Sequence, residues 1–413
     1  MKLVSPSEVK GGAFTPPSKS ATIRAFAAAA LADGKSTITN PSDCDDALSA
    51  LKCIKALGSA ISYRDCKVIV EGRSGKIESK LDCGESGLCI RMFSSISALF
   101  DRRMILVAKG SLKKREVGFI EAPLKSLGAE CSTNNGFPPV KVKGPISGRH
   151  VFIDGSHSSQ FLSGLLIALP LCASDSTIYV ANLKSKPYIT MTLNLLREFG
   201  IKIRPSNDFS KFSIFGNQYY KPSKYIVEGD WSSASFLLVA GAIAGKVKVK
   251  GINPSSCQAD RAIIDGLIRA GASVKTTKNT VEVQSNTPLR GFEFDATHCP
   301  DLFPPLAVLA CCCKGKTRLK GASRLKGKES DRGKALVSEL GKLGAKIALR
   351  GDVLEIVGSR LHGGIVDSHN DHRIAMACAI AGLVCERGVS IKNPQCVKKS
   401  FPRFFDVLEN LRS

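Results

Sequence analysis

The chain has 413 residues, with 59 lysines and arginines against 36 aspartates and glutamates, a formal net charge of +23. Its 43% apolar content supports substantial cores and excludes a disordered composition, and its length predicts two or three domains. It holds no uninterrupted run of about eighteen apolar residues, which argues against a membrane span; the start, MKLVSPSEVKGG, has neither an apolar signal core nor transit-peptide character, so a cytoplasmic protein is expected.

The fifteen cysteines form no Cys-x-x-Cys pair. Disulfides are improbable in a long cytosolic chain, and a zinc ribbon lacks its ligand spacing. Cys311, Cys312 and Cys313 lie in an apolar stretch and are expected to act as small core hydrophobes. The basic excess suits nucleic acid, anionic membrane or small anionic substrates. Aromatic content of 6% and the spread of charge along the chain weigh against a single-strand stacking platform.

The first predicted helix, IRAFAAAALA, follows Pro17-Ser18-Lys19-Ser20 and is apolar nearly all round, which indicates burial on every side. The next, DALSALKCIKAL, carries lysines on one face, closes at Gly58 and leads to the strand KVIVEG. The same alternation recurs. GLCIRMFSSISALF is buried, the strand MILVA and the basic segment Lys109–Arg115 follow, and an outer helix closes at Gly128. SQFLSGLLIALPLC is buried, STIYVAN is a strand, and an outer helix closes at Gly200. SSASFLLVAGAIAG is buried, KVKVKG is a strand, and an outer helix closes at Gly271 before the strand VEVQS. LFPPLAVLACCC is buried, TRLKG is a strand, and Arg324–Arg332 opens an outer helix closing at Gly344 before VLEIVG. RIAMACAIAGLVC is buried, and a last outer helix is expected over 401–411. The five glycines fall at steps of 70, 72, 71 and 73 residues, so one structural unit is used six times. Strands between helices indicate α/β, with one central and one peripheral helix per unit.

The buried helices are expected to start near Ser20, Ser86, Ser158, Ser232, Asp301 and Asp371. Serine and aspartate there cap free N–H groups, and capping alone accounts for each serine. It does not account for Lys19, Arg24, Arg91 and Arg373. A helix N-terminus is already positive, and further cations in the first turns make sense if an anion completes them. Lys328, Glu329 and Arg332 with Asp301 combine cations for phosphate with carboxylates for proton transfer.

Taken in order along nearly the whole chain, these segments resemble 5-enolpyruvylshikimate-3-phosphate synthases. The matching segments are Pro17-Ser18-Lys19-Ser20 with Arg24, Gly87 with Arg91, and Ser158-Ser159-Gln160. Ser185-Lys186-Pro187-Tyr188, Gly229-Asp230 with Ser232–Ser235, and Pro300-Asp301 follow. The series ends with Lys328–Arg332, Asn370–Arg373 and Cys396–Pro402. The resemblance implies a two-domain inside-out α/β barrel, each domain three βαβαββ repeats around buried parallel helices. Residues 15–227 would form one domain and residues 1–14 with 228–413 the other, with the active site in the interdomain cleft. It implies transfer of the enolpyruvyl group of phosphoenolpyruvate to the 5-hydroxyl of shikimate 3-phosphate, with release of phosphate, in chorismate and aromatic amino acid biosynthesis.

The resemblance also assigns roles. Asp301, Glu329 and Lys19 would be catalytic. Lys19, Ser20, Arg24, Ser158, Ser159, Gln160, Ser185, Tyr188, Asp301, Arg324 and Lys328 would bind shikimate 3-phosphate. Lys19, Gly87, Arg115, Gln160, Arg332, Arg373 and Lys399 would bind phosphoenolpyruvate. No metal, cofactor, nucleic acid or membrane partner is expected, and the protein is expected to be a monomer. The sequence departs from the family pattern at Glu85, which would place a negative charge near the phosphoenolpyruvate site, at Glu116, where proline is common, and at Arg324, where asparagine is common. Two alternatives stand beside this reading. The sister enzyme acting on UDP-N-acetylglucosamine pairs its N-terminal lysine with asparagine and often uses a loop cysteine; here Ser20 follows Lys19, and no cysteine lies between Cys89 and Cys131. A basic nucleic-acid-binding repeat protein would leave Asp301, Glu329 and Asp371 unexplained.

Overall fold

Gly58, Gly128, Gly200, Gly271 and Gly344 all have φ between 83° and 100°. Each follows or caps the last turn of an outer helix, where a left-handed residue stops the helix and glycine alone adopts it without strain. The repeat in the sequence is therefore a repeat of one backbone event.

The computed structural model describes residues 1–412. It divides into two compact units, Pro17–Val227 and Met1–Pro16 with Glu228–Ser413. The chain opens with β1 (Lys2–Val4) and β2 (Val9–Phe14), which belong to the second of these. The unit Pro17–Val227 then runs through α1 (Lys19–Leu31), β3 (Gly34–Thr39), α2 (Asp45–Ala56), β4 (Ala60–Arg64) and β5 (Lys67–Gly72). It continues with β6 (Lys80–Asp82), α3 (Gly87–Ser97), β7 (Arg103–Val107), α4 (Glu121–Ser126), β8 (Glu130–Asn134) and β9 (Phe137–Lys143). Its third repeat is β10 (His150–Asp154), α5 (Ser159–Ala168), β11 (Ser176–Ala181), α6 (Lys186–Glu198), β12 (Ile203–Pro205) and β13 (Lys211–Ile214), and it ends on β14 (Lys224–Ile226).

The three sheets of this unit share one pattern: β14-β3-β5-β4, β6-β7-β9-β8 and β10-β11-β13-β12. The first pair of each is parallel and the rest antiparallel. Each is thus a βαβαββ repeat. In the first, the opening strand is β14, supplied from the far end of the unit.

The other unit follows the same plan with α7 (Trp231–Ala244), β15 (Gly245–Lys250), α8 (Ile263–Ala270), β16 (Ser273–Thr276) and β17 (Thr280–Gln284). Next come β18 (Glu293–Asp295), α9 (Phe303–Cys311), β19 (Lys316–Lys320), α10 (Arg332–Lys342), β20 (Lys346–Arg350) and β21 (Val353–Val357). Its last repeat is β22 (Gly364–Asp367), α11 (His372–Gly382), β23 (Val389–Lys392) and α12 (Phe404–Glu409). Its sheets are β16-β17-β15-β2, β18-β19-β21-β20 and β1-β23-β22. Here the parallel partner of β15 is β2, from the start of the chain, and β1 closes the third sheet antiparallel to β23.

Within each unit the apolar helices sit inside the sheets. Every residue of α3, α9 and α11 is buried, as is all of α5 but Gln160. Small residues let these helices approach: a Cβ at Gly164 of α5 would lie 2.7 Å from the Met92 carbonyl oxygen of α3. Phe93, Phe161, Phe236 and Phe303 fill the remaining space with full burial, each contributing about 1.5–3 kcal/mol. The outer helices bury one side only; α2 hides Ala47, Ala50, Leu51 and Ile54 and exposes Lys52 and Lys55.

Two sequence expectations shift. The last helix covers Phe404–Glu409 rather than 401–411, because Pro402 disfavours helical backbone at Phe401. Asp301 does not open α9; it lies in a single 3-10 turn, Pro300–Leu302, ahead of it. All fifteen cysteines are free thiols, and burial pushes Cys311 and Cys313 up to about 12. No helix among the described residues is long and apolar enough to cross a membrane.

Candidate active site

The N-termini of the buried helices are capped differently in the two units. In Pro17–Val227 the caps are serines: Ser18 accepts from Ala21 N, Ser86 from Cys89 N, and Ser158 from Gln160 N. In the other unit Asp230 caps α7 and Asp371 caps α11. A hydroxyl satisfies an N–H group without adding charge, so the serine-capped ends keep their positive dipole.

Cations gather at the serine-capped ends. Lys19 is the first residue of α1, and its Nζ lies 3.0 Å from Asp46 Oδ2 in the first turn of α2. Arg24, one turn on and 1% exposed, is held by neutral groups. Its Nε donates to Thr192 Oγ1 at 2.8 Å, Nη1 to the Ser20 carbonyl at 2.9 Å and Nη2 to Ser163 Oγ at 3.2 Å. The Tyr188 ring centroid is 6.0 Å from its guanidinium carbon, and Ser185, left-handed at φ 56°, precedes α6 and receives the Tyr188 N–H. The α1 and α6 termini therefore bring Ser20, Arg24, Ser185 and Tyr188 together.

On α3, Arg91 Nη1 donates to Gln160 Oε1 at 2.9 Å and Nη2 to the Glu116 carbonyl at 3.4 Å. Ser158 and Ser159 are buried beside Gln160 at the start of α5. Arg115 is buried too, against the backbone of Gly87: a Cβ there would lie 2.9–3.0 Å from its guanidinium atoms.

The aspartate-capped unit assembles a different set. Arg332, fully buried at the start of α10, is surrounded by carboxylates. Its Nη1 donates to Asp301 Oδ1 at 2.8 Å, Nη2 to Glu329 Oε2 at 2.6 Å and Nε to Asp371 Oδ2 at 2.9 Å. Asp301 is shared further: Arg373 Nη2 lies 3.0 Å from its Oδ2 and Lys328 Nζ 3.7 Å from its Oδ1. Lys399 is buried on the 3-10 turn Pro394–Lys399, which packs on α11. Arg324 is half-buried on the turn before Lys328; burial lowers its pKa and Asp301 opposes that. Glu329, Asp371 and His372 come close enough to hold a metal ion, but the Arg332 guanidinium already supplies the positive charge at that point.

The charges tune one another. Burial alone would raise the Asp301 carboxyl, but Arg373, Lys328 and Arg332 outweigh it and hold Asp301 far below the usual carboxylate range. Burial lowers the Lys328 ammonium to about 8, against the pull of Asp301. Burial disfavours the Arg332 charge, but Asp371, Glu329 and Asp301 raise its pKa above the ordinary value.

Sequence reasoning missed two carboxylates. Asp46 pairs with Lys19, yet an acid in a first turn is ordinary helix-dipole chemistry and signals nothing more. Asp260, on the short turn Ala259–Ala262, is fully buried and receives the Ser232 hydroxyl on Oδ2. Burial and then the Asp301 charge push it up to about 7. Ser232 reads as a cap residue from sequence; the cap is Asp230, and Ser232 serves Asp260.

An α/β fold of helix-centred βαβαββ repeats, with cations at neutral-capped helix ends and a buried acid–base cluster, defines an enzyme class that handles small anions by proton transfer. The comparisons specify it. The family model for EPSP synthase (3-phosphoshikimate 1-carboxyvinyltransferase) matches residues 4–408. A 3-phosphoshikimate 1-carboxyvinyltransferase of Clostridium perfringens is 38% identical over 99% of this chain and 97% of its own. One of Methanococcus vannielii is 38% identical over 98% and 97%. Among solved structures, EPSP synthase from Acinetobacter baumannii superposes with a TM-score of 0.83 at 26% identity, over 99% of this chain and 97% of that one. The enolpyruvyl transferase NikO from Streptomyces tendae shares the fold, with a TM-score of 0.79 at 17% identity over 99% and 96%. The chain belongs to the EPSP synthase family.

Proposed function

We propose that this chain transfers the enolpyruvyl group of phosphoenolpyruvate to the 5-hydroxyl of shikimate 3-phosphate, releasing phosphate. The observation that carries the reading is Asp301. Its carboxylate is gripped by Arg332 and Arg373 with Lys328 near by, which sets an ionised acceptor for the 5-hydroxyl proton inside the cation cluster.

In the addition step the 5-hydroxyl oxygen bonds to C2 of phosphoenolpyruvate, its proton passes to Asp301, and a proton is delivered to C3. In the elimination step a proton leaves the C3 methyl group, the C2–C3 double bond re-forms, and the C2–O bond to phosphate breaks with its electron pair leaving on phosphate. Glu329, whose Oε2 lies 2.6 Å from Arg332 Nη2, would handle the C3 proton in both steps. Lys19, freed from Asp46, would assist at the bridging oxygen.

Shikimate 3-phosphate suits the neutral-capped helix ends, where Ser20, Arg24, Ser158, Ser159, Gln160, Ser185 and Tyr188 offer donors; Lys328 and Arg324 would add contacts to the ring. Phosphoenolpyruvate would engage Lys19, Gly87, Arg115, Gln160, Arg332, Arg373 and Lys399, because phosphate and carboxylate match arginine forks. All three donor nitrogens of Arg332 are engaged by carboxylates, so a bound anion would share the guanidinium with Glu329, Asp301 and Asp371. The reaction needs no metal or cofactor, and the protein is proposed to act as a cytoplasmic monomer.

The test is to mix purified protein with phosphoenolpyruvate and shikimate 3-phosphate and follow phosphate. Release with that pair is expected; release only when UDP-N-acetylglucosamine replaces the sugar acid would overturn the reading.

A further inference from the structure

Glu85 does not sit in the structure as a stray negative charge. It is partly buried, and its Oε2 accepts from the Ser111 backbone N–H at 3.2 Å and from the Ser111 hydroxyl at 3.0 Å. The neighbouring Gly110 has φ 47°, and a Cβ at that residue would collide with the Glu85 carboxylate. The loop before α3 and the segment after β7 are joined at further points. Cys83 N donates to the Val107 carbonyl at 3.0 Å and Lys109 N to the Gly84 carbonyl at 2.7 Å. Lys109 Nζ reaches Asp82 Oδ2 at 2.6 Å, and Gly84 N donates to Asp82 Oδ1 at 3.0 Å. The joined segment turns through Gly110–Lys114, buries Leu112, and ends on Arg115, whose N–H donates to the Leu112 carbonyl at 3.1 Å. Arg115 then lies across Gly87, two residues beyond Glu85.

The geometry points to Glu85 as a positioning residue: by binding Ser111 it fixes the 3-10 turn that delivers the Arg115 guanidinium to the face of Gly87, and so sets phosphoenolpyruvate affinity. The inference rests on the reading that Arg115 binds phosphoenolpyruvate. Its chemistry is that of an arginine aimed by its own loop. A guanidinium on a free segment would lose rotamer and loop entropy on binding an anion, and a loop pinned in advance spares that loss. Misplacement by about 1 Å can cost as much as a hundredfold. The Glu85 carboxylate is engaged by both donors of Ser111.

The experiment measures KM for each substrate, kcat and thermal unfolding for Glu85→Ala, Glu85→Gln, Ser111→Ala, the double variant Glu85→Ala/Ser111→Ala, and Arg115→Ala. Glu85→Ala is expected to raise KM for phosphoenolpyruvate about tenfold while KM for shikimate 3-phosphate stays within about twofold. Glu85→Gln, which keeps an acceptor for Ser111, is expected to recover most of that loss, and the double variant to be no worse than Glu85→Ala alone. An unchanged KM for phosphoenolpyruvate in Glu85→Ala, alongside a raised one in Arg115→Ala, would overturn the positioning role and leave the role of Arg115 standing. A rise in Glu85→Ala that Glu85→Gln does not ease would overturn it in favour of charge alone. No rise in Arg115→Ala would remove the premise, and the inference with it.

Discussion

The two units are built on one repeat, yet they solvate their buried charges in opposite ways. In Pro17–Val227, Arg24 is held by two hydroxyls and a carbonyl, and Arg91 by an amide and a carbonyl, at helix ends capped by serine. In the other unit Arg332 alone meets three carboxylates, and the helix ends are capped by aspartate. Neutral partners satisfy hydrogen bonds but leave the cation's field intact, so the first set remains a receptor for anions. Paired charges cancel at a distance but can exchange protons at close range, which suits the second set to the proton transfers proposed above.

The largest expected effects come from removing the proposed proton-transfer groups, Glu329 of the carboxylate-rich unit and Lys19, a cation of the serine-capped ends that is paired with a carboxylate, Asp46. Glu329→Ala and Lys19→Ala are expected to lower kcat by about 10²–10⁴ while each variant melts as a folded protein. Near-normal turnover in both, measured by phosphate release, would sink the proposed proton-transfer roles. A stability comparison comes next. Asp371→Asn keeps a good helix cap but removes one charge from around Arg332, which has no exposed surface. Breaking a buried pair from one side costs about 3–5 kcal/mol. Trp231 is the only tryptophan and lies buried in that unit, so its fluorescence during urea unfolding reports the loss directly. Ser86→Ala removes a neutral cap in the other unit and is expected to cost only about 1 kcal/mol, read by circular dichroism. Equal losses in the two variants would mean that cap charge is not what distinguishes the units.

Much of this was legible in the sequence, and what was not has physical reasons. The glycines declared themselves because a left-handed helix stop has almost no other residue available, and the buried helices because Ala-rich runs such as 21–31 have no polar face. The strands β4, β8 and β12 lie at sheet edges and are largely exposed, so they lack the apolar alternation that marks a strand. The cations stood out against the helix dipole, and the family resemblance named the residues expected beside them. Their counter-charges did not stand out. Asp46 lies 27 residues from Lys19 and Asp260 is 28 from Ser232, and no local pattern links either pair. The direction in which Glu85 points was equally invisible, since a carboxylate beside a loop can face substrate or loop with the same sequence.

The last prediction concerns where the second set keeps its proton. Asp301 and Asp260 influence one another electrostatically, and the cations around Asp301 favour its ionisation. The proton therefore resides on Asp260, whose folded pKa of about 7 stands above the ordinary 3.8. Between those two values the folded protein binds a proton that the unfolded chain has released, so stability falls as pH rises through that window and levels off above it. Asp301, with its pKa depressed, acts in the opposite sense: its contribution is lost as pH falls below the ordinary carboxylate value, so the two windows do not overlap. Asp260→Asn cannot titrate, and its amide oxygen can still accept from Ser232. The variant is expected to show a shallower decline in unfolding free energy from about pH 4 to pH 7 than the parent protein, with Glu228, also raised chiefly by burial, supplying what slope remains. Parallel curves for the two proteins, followed through Trp231 fluorescence, would place the proton elsewhere and would make the acid cluster a fully ionised one held together by Arg332, Arg373 and Lys328 alone.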